Sequence, residues 1–338
     1  MSRTTCVVTG GAGFIGSELV HQLSARGERV VVIDNLVNGR RENLAGCQPG
    51  LVTLVEADIR DAASVRSHLR DAHTVYHLAC LGVRHSVHSP VENHEVNATA
   101  TLRLLEASRD AAVPRFVCVS SSEVYGTAKW APMDEDHPTF PCTVYGASKL
   151  AGENYARAFY KTYGYPTVVV RPFNAYGPRS HHEGDSGEVI PKFLLRCLAG
   201  HSMVVFGDGT QTRDFTFVED SARGILLAGT TEAALGHTVN LGSGSEISIK
   251  DLAHAVAATV GCPAHIVHDE PRPGDVMRLC ADMSLARASL NYDVRVSLAD
   301  GLARLLAWYR AMSTTPEELL RRDILHNWKP HPGSVRSS

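Results

Sequence analysis

The sequence predicts an α/β protein, a doubly wound parallel sheet followed by a smaller, mixed α/β C-terminal lobe. Three observations carry that reading. Short β-branched runs alternate with amphipathic helical stretches from Thr4 to about residue 173, and parallel strands require crossover helices of that kind. The first of these runs feeds a glycine-rich turn that opens a helix. Past Arg171 the strict alternation ends, so the remainder reads as a separate lobe.

A chain of 338 residues suggests about two domains, or one domain with a substantial lobe. The expected boundaries are 1–173 for the first domain, with later segments able to return to it, 174–312 for the lobe, and 313–338 for a charged tail with room for one short helix. The chain is 44% hydrophobic and 20% charged, with a formal net charge of −3 and no concentrated basic face. That balance argues against nucleic acid and acidic membrane surfaces as partners. No apolar run is long enough to span a bilayer, and the N-terminus enters a strand-like run at once, leaving no room for a signal peptide. The 8 cysteines are scattered without a C-x-x-C. They read as reduced, mostly buried thiols rather than a disulfide framework or zinc site, and a cytoplasmic location is expected.

Thr4 to Thr9 reads as a buried strand. It leads into Gly10-Gly11-Ala12-Gly13-Phe14-Ile15-Gly16 and then a helix through Leu19, Val20 and Leu23, the context a dinucleotide fingerprint requires. Gly10 permits the tight turn, Gly13 lets the backbone approach a pyrophosphate, and Gly16 allows the helix to pack close on the strand. The free N–H groups of the helix then face the phosphates. The spacing is G-x-x-G-x-x-G rather than the commoner G-x-G-x-x-G. A second strand, Arg29 to Ile33, ends at Asp34-Asn35, where a carboxylate accepts from the adenosine ribose hydroxyls and repels a 2′-phosphate. NAD is therefore favoured over NADP, and Arg40 and Arg41 read as a solvated loop pair. After a third strand, Val52 to Val55, come Asp58 and Ile59; Asp58 is placed either to bond the adenine amino group or to cap its own turn.

Thr74 to Ala79 is a fourth strand, with Leu78 and Ala79 at its cofactor end and His77 expected as a packed core histidine. Arg84, His85 and His88 follow on a loop at the carboxyl end of that strand, where ligands bind in open α/β sheets. A helix through Asn97, Leu102, Leu104 and Leu105 leads to a fifth strand, Phe116 to Val119, which runs into Ser120-Ser121-Ser122-Glu123-Val124-Tyr125-Gly126. A helix over Tyr145 to Tyr163 and a sixth strand over Thr167 to Val170 complete this part. Beyond it, Pro178 to Gly187 reads as a mobile polar loop. His181 and His182 within it lack a third ligand at a useful spacing, so no metal site is expected. A helix at Phe193 to Leu198, a strand at Met203 to Phe206, a turn at Gly207 to Gly209, a strand at Phe215 to Val218, and helices at Ser248 to Val260 and Leu298 to Tyr309 are expected in the lobe.

The chemistry centres on Tyr145-Gly146-Ala147-Ser148-Lys149. Residues four apart share one helical face. A free phenol titrates near ~10, and an ammonium beside it favours the phenolate. Such a pair can take a proton from a substrate hydroxyl and return it. Taken alone, Y-x-x-x-K is common on solvated helix faces; its meaning comes from the motifs around it.

Those motifs resemble the extended short-chain dehydrogenase/reductases, in particular the nucleotide-sugar epimerase/dehydratase group. The resemblance spans roughly residues 4 to 312 through TGGAGFIG (Thr9–Gly16), DNL (Asp34–Leu36), HLA (His77–Ala79), SSSEVYG (Ser120–Gly126), YGASK (Tyr145–Lys149), RPFNAYGP (Arg171–Pro178), FGDGTQTRDF (Phe206–Phe215) and RPGD (Arg272–Asp275). It implies a Rossmann domain with NAD bound, Tyr145 as acid/base, and Lys149 as the group that lowers its pKa and holds the nicotinamide ribose. Ser121 aligns with the family's catalytic Ser or Thr, while Asn97 and Ser120 support the cofactor and active site. Asn174 resembles a diphosphate-side contact, with Arg179 nearby grouped among the substrate-binding residues. Arg213 and Arg272 resemble diphosphate clamps, a role suited to the guanidinium fork, and Asp275 the residue that receives the nucleoside ribose. A homodimer through paired helices is also implied.

The reaction class turns on departures from the family's patterns. Epimerases usually carry a small neutral residue where this chain has Glu123. The 4,6-dehydratases carry an Asp-Glu pair where it has Ser122-Glu123, so the acid is missing. Glu188 stands where the UDP-glucuronate decarboxylases place an arginine, whereas Gly82-Val83-Arg84-His85-Ser86 resembles a loop of UDP-glucuronate 4-epimerases. The expectation is an NAD-dependent C4-epimerase of a UDP-hexose or UDP-uronate. The alternatives, in order, are a 4,6- or 5,6-dehydratase using Glu123 as base, a decarboxylase, and a non-catalytic NAD-sensing protein.

Overall fold

The computed structural model describes residues 4–184, 186–272 and 275–329. Its strands are β1 (Thr5–Thr9), β2 (Arg29–Asp34), β3 (Val52–Glu56), β4 (Thr74–His77), β5 (Arg115–Val119), β6 (Thr167–Pro172), β7 (Asn174–Tyr176), β8 (Met203–Phe206), β9 (Thr212–Phe217), β10 (Thr238–Leu241), β11 (Glu246–Ser248) and β12 (Ile266–Asp269). Seven of them form one parallel sheet in the order β10-β6-β5-β4-β1-β2-β3. The chain winds outward from β1 in one direction through β2 and β3 and in the other through β4, β5 and β6. The switch between β1 and β4 leaves a crevice above the carboxyl ends of the strands, the place where such sheets bind ligands.

Period-two alternation explains the two cores. Val8 packs with Leu19, Leu23 and Val32 on one face of the sheet. Its neighbour Val7 packs with Val75, Leu105, Phe116 and Val169 on the other. Because both faces are covered, β4, β5 and β6 are buried along their whole length, as parallel strands require. The strand expected at Phe215–Val218 is β9, which starts earlier. Val218 instead opens the Val218–Thr230 helix, because its apolar face returns to the large sheet, where Ala222, Ile225 and Leu226 join the first core. That helix and β10 bring residues beyond 173 back to the first sheet.

The remaining strands build the lobe, a sheet of order β11-β9-β7 and a separate β12-β8 pair, packed around Phe193, Leu194, Val205, Phe217, Leu252 and Leu305. One sequence expectation changes here. The Pro178–Gly187 loop, expected to be mobile, is anchored: Ser180 and His182 are buried, the Gly184 N–H donates to the Arg322 carbonyl at 2.7 Å, and the Glu188 N–H to that of His181 at 2.9 Å. Residue Asp185 lies outside the described residues. The tail is not a free appendage. After a Pro316–Leu320 helix with a Thr315/Glu318 capping box, Asp323 sits between Lys192 Nζ at 2.8 Å and Arg196 Nη1 at 3.0 Å.

Candidate active site

A cleft of about 970 Å³ runs from the β1–β4 switch point into the lobe. Nearly every residue singled out in the sequence lines it: Gly10, Gly13, Phe14, Ile15, Gly16, Asp34, Asn35, Asp58, Ile59, Leu78, Ala79, Arg84, Ser120, Ser121, Ser122, Glu123, Tyr145, Lys149, Asn174, Arg213, Arg272 and Asp275. Asn97 and Arg179 do not. Asn97 is buried behind the wall, accepting from the Leu81 N–H at 2.8 Å and donating to the Leu81 carbonyl at 2.9 Å and to Ser148 Oγ at 3.1 Å. It braces the loop after β4 against the tyrosine helix. Arg179 is tied to Glu18 on the Phe14–Ala25 helix, which holds its guanidinium away from the cleft.

The first end of the cleft is cut to backbone dimensions. At Gly10, φ is +70° and an added Cβ would lie 2.7 Å from the Ala79 nitrogen; at Gly16 it would lie 2.1 Å from the Gly10 carbonyl oxygen. Only glycine closes this turn, which keeps the first N–H groups of the helix open to the cleft. Asp34 Oδ2 accepts from the Ala12 N–H and Oδ1 from the Leu36 N–H, both at 2.9 Å, so the carboxylate is locked at the tip of β2. Burial pushes Asp34 up, and those two backbone bonds oppose the shift. Asp58 accepts from Arg60 Nη2 at 2.8 Å, the Arg60 N–H at 2.8 Å and Asn35 Nδ2 at 3.1 Å; chiefly the Arg60 bond lowers its pKa to about 2. Arg40 pairs with Glu183 and Arg41 with Glu56, both on the surface, and neither lines the cleft. The glycine cradle and the anchored carboxylate fit a dinucleotide.

At the centre, Thr143 caps the Val144–Tyr163 helix through its Oγ1, which accepts from the Gly146 N–H at 3.0 Å. A Cβ at Gly146 would lie 2.6 Å from the Glu123 carbonyl oxygen, so this helix start packs directly on the turn after β5. The contact places Tyr145 beside the Ser121–Glu123 turn, and both line the cleft. Ser121 Oγ accepts from the Glu123 N–H at 3.2 Å. Burial pushes the phenol well up, Cys80 and Glu123 add to the rise, and Ser121 opposes it. Lys149 lies one turn further along the same helix and also lines the cleft. Its Nζ donates to the Val119 carbonyl at 2.5 Å. Glu123 is also raised by burial, against the pull of Arg213 and Arg84.

The far end is cationic. Arg213 donates to Asp275 Oδ1 at 2.5 Å and to the Val276 carbonyl at 2.6 Å, which fixes its fork at the wall. Burial and the like charges of Arg84 and Arg213 push Arg272 down to about 10. Within the RPGD motif, Pro273 and Gly274 lie outside the described residues. Sequence reasoning missed Cys80, Thr143, Lys192, Leu325 and Trp328, which also line the cleft. The apolar run Ile324-Leu325 and Trp328 within a charged tail were the available signal for the last two. His77 sits behind the cleft as a core histidine, bonded to Thr9 Oγ1 at 2.7 Å and Thr101 Oγ1 at 2.8 Å, and burial lowers its pKa to about 3.

Residues 6–242 match the NAD dependent epimerase/dehydratase family. A UDP-glucose 4-epimerase of Mycolicibacterium smegmatis is 38% identical over 312 residues, 91% of this chain and 99% of that protein. A UDP-N-acetylglucosamine 4-epimerase of Methanobrevibacter ruminantium superposes with a TM-score of 0.87 at 32% identity, over 92% of this chain and 99% of that one. The dTDP-glucose 4,6-dehydratase of Streptomyces venezuelae, solved with NAD bound, superposes with a TM-score of 0.85 at 34% identity, over 91% and 97%. A glycine cradle, a tyrosine and lysine one helical turn apart, and a serine share one cleft, the set the sequence resemblance to the short-chain dehydrogenase/reductases implies. The chain belongs to the NAD dependent epimerase/dehydratase family.

Proposed function

We propose that this protein is an NAD-dependent nucleotide-sugar C4-epimerase acting on a UDP-hexose or UDP-uronate. The observation that carries the reading is that Tyr145, Ser121 and Lys149 line one cleft together with the glycine cradle and the arginines. NAD, when bound at the cradle, supplies a reversible hydride acceptor for C4 of the sugar. Tyr145 hydrogen-bonds the 4-hydroxyl, takes its proton as C4 gives up a hydride, and returns the proton when that hydride comes back to the other face of C4, so no net redox change occurs. Ser121 shares that hydrogen bond and orients the reacting oxygen. Arg213 and Arg272 hold the diphosphate, which lets the flat ketosugar present either face to the same two side chains. Epimerase relatives of high coverage support this reading.

A second reading is a lyase, favoured by one observation: burial holds Glu123 above the ordinary carboxylate range inside the cleft, suited to taking a proton from C5. Elimination also needs an acid for the departing hydroxyl, and Ser122 is a weak one. Proton NMR of the protein with UDP-glucose, UDP-glucuronate and UDP-N-acetylglucosamine in deuterium oxide separates the readings. A C4 epimer without deuterium at C5 supports the epimerase; a dehydrated ketosugar or C5 label moves the assignment to the lyases, and a pentose to decarboxylation. We extend the proposal to a homodimer: Val91 and Tyr163, on the Pro90–His94 and Val144–Tyr163 helices, are exposed apolar side chains. Sedimentation equilibrium tests this, and a monomer at micromolar concentration refutes it.

A further inference from the structure

We propose that Trp328 is a positioning residue for anion capture: with Phe206 it holds the Arg272 guanidinium at the cleft wall, ready for the substrate diphosphate. The proposal rests on the nucleotide-sugar reading above. Trp328 and Phe206 meet edge to face, their ring centroids 4.8 Å apart at 87°. The Arg272 guanidinium carbon lies 4.6 Å from the Phe206 centroid and 5.3 Å from that of Trp328. The cation therefore sits in the corner of two rings, and both rings line the cleft with it. Ring faces attract a guanidinium without using its N–H donors. Accordingly, Arg272 Nε is buried and has no hydrogen-bond partner among the described residues. Burial and the neighbouring Arg84 and Arg213 disfavour the charge, so the corner is completed by an arriving anion.

The segment carrying Trp328 is built to stay there. Asp323 anchors it through Lys192 and Arg196, the Lys192 Nζ donates to the Ile324 carbonyl at 2.8 Å, and His326 Nε2 lies 2.9 Å from Asp269 Oδ2 at the end of β12. Three ties within a few residues leave the indole little freedom. Its absence frees one side of Arg272, while the chemistry around Tyr145 is untouched.

The test uses the full chain with its NAD, calorimetric titration with UDP, and turnover assays. Trp328→Leu keeps apolar cover but loses the ring face. It should raise the Kd for UDP and the KM for substrate by roughly 3- to 30-fold, the range expected of a partly desolvated cation–π contact, with kcat changed less than about twofold. Trp328→Phe should recover most of the loss, and NAD content should match wild type in both. The double variant Trp328→Leu/Arg272→Ala should bind UDP no more weakly than Arg272→Ala alone. Unchanged UDP affinity in Trp328→Leu, additive losses in the double variant, or an equal loss toward uridine, which would mean that the indole contacts the base, each overturns the proposal. Failure of the wild type to bind UDP overturns the nucleotide-sugar reading and this inference with it.

Discussion

Glu153 and Arg171 form the buried ion pair that fixes the tyrosine helix to the sheet, and removing either partner should have unequal costs. Arg171 Nη2 lies 2.6 Å from Glu153 Oε1 and Nε 3.0 Å from Oε2, with side-chain exposures of 1% and 0%. Breaking a buried pair by deleting one partner costs about 3–5 kcal/mol, because the other charge is left without compensation. The structure orders the two deletions within that range. In Arg171→Met, Glu153 keeps Arg157 Nη2 at 2.8 Å, a partner that reaches solvent, so the cost falls near ~3 kcal/mol. In Glu153→Gln, Arg171 loses the paired carboxylate and is left with uncharged contacts, the Gln amide oxygen, the Tyr125 hydroxyl at 2.7 Å and ring face, and the Glu135 carbonyl at 3.4 Å. The cost then approaches ~5 kcal/mol. Glu153 lies one turn beyond Lys149, so kcat should fall in both variants as the helix loosens. Urea titration at saturating NAD reads the stability difference as a midpoint shift at constant slope. Glu153→Leu/Arg171→Met should recover most of the loss, since it buries no charge. A double variant as unstable as the sum of the singles, or Glu153→Gln within about 1 kcal/mol of wild type, refutes the argument.

Tyr145→Phe removes the hydroxyl but keeps the ring, and turnover should fall by about 10²–10⁴-fold while UDP affinity holds; full activity removes Tyr145 from the mechanism. Asp34→Ala deletes two backbone anchors of the cradle together with a carboxylate that disfavours a 2′-phosphate. NAD retained after purification should drop and the preference over NADP narrow; a protein that already retains NADP refutes the reading of Asp34. Glu188 lines the cleft, and burial raises it from 4.5 to about 8. The unfolded chain releases this proton as pH rises past 4.5, whereas the folded protein keeps it until about 8. Wild type should therefore lose stability relative to Glu188→Gln across that window, by at most about 1.4 kcal/mol per pH unit. A stability difference flat from pH 4 to 8.5 refutes it.

Local chemistry made much of this protein readable in one dimension. The β-branched runs reappear as β1 to β6, most fully in β4, β5 and β6, because strands buried on both faces need apolar residues along their length. The glycine loop was legible because Gly10 and Gly16 answer steric demands within a few residues of themselves. Tyr145 and Lys149 were legible through helical spacing, whereas the Thr143 cap that starts their helix was not singled out. What the tertiary structure alone decided involves partners far apart in the chain. Lys149 reaches the Val119 carbonyl, and Arg171 and Asp214, both inside motifs assigned to the site, act as buried braces. Asp214 accepts from the Ser243, Gly244 and Ala281 N–H groups. Val218 reads as strand by propensity yet starts a helix, because its neighbours find a core on the large sheet. The packing of the described part of the tail is a further case that only the tertiary structure decides. Asp323, Lys192 and Arg196 neutralise one another only after folding joins positions more than a hundred residues apart, and that pairing places Trp328 at the wall of the cleft.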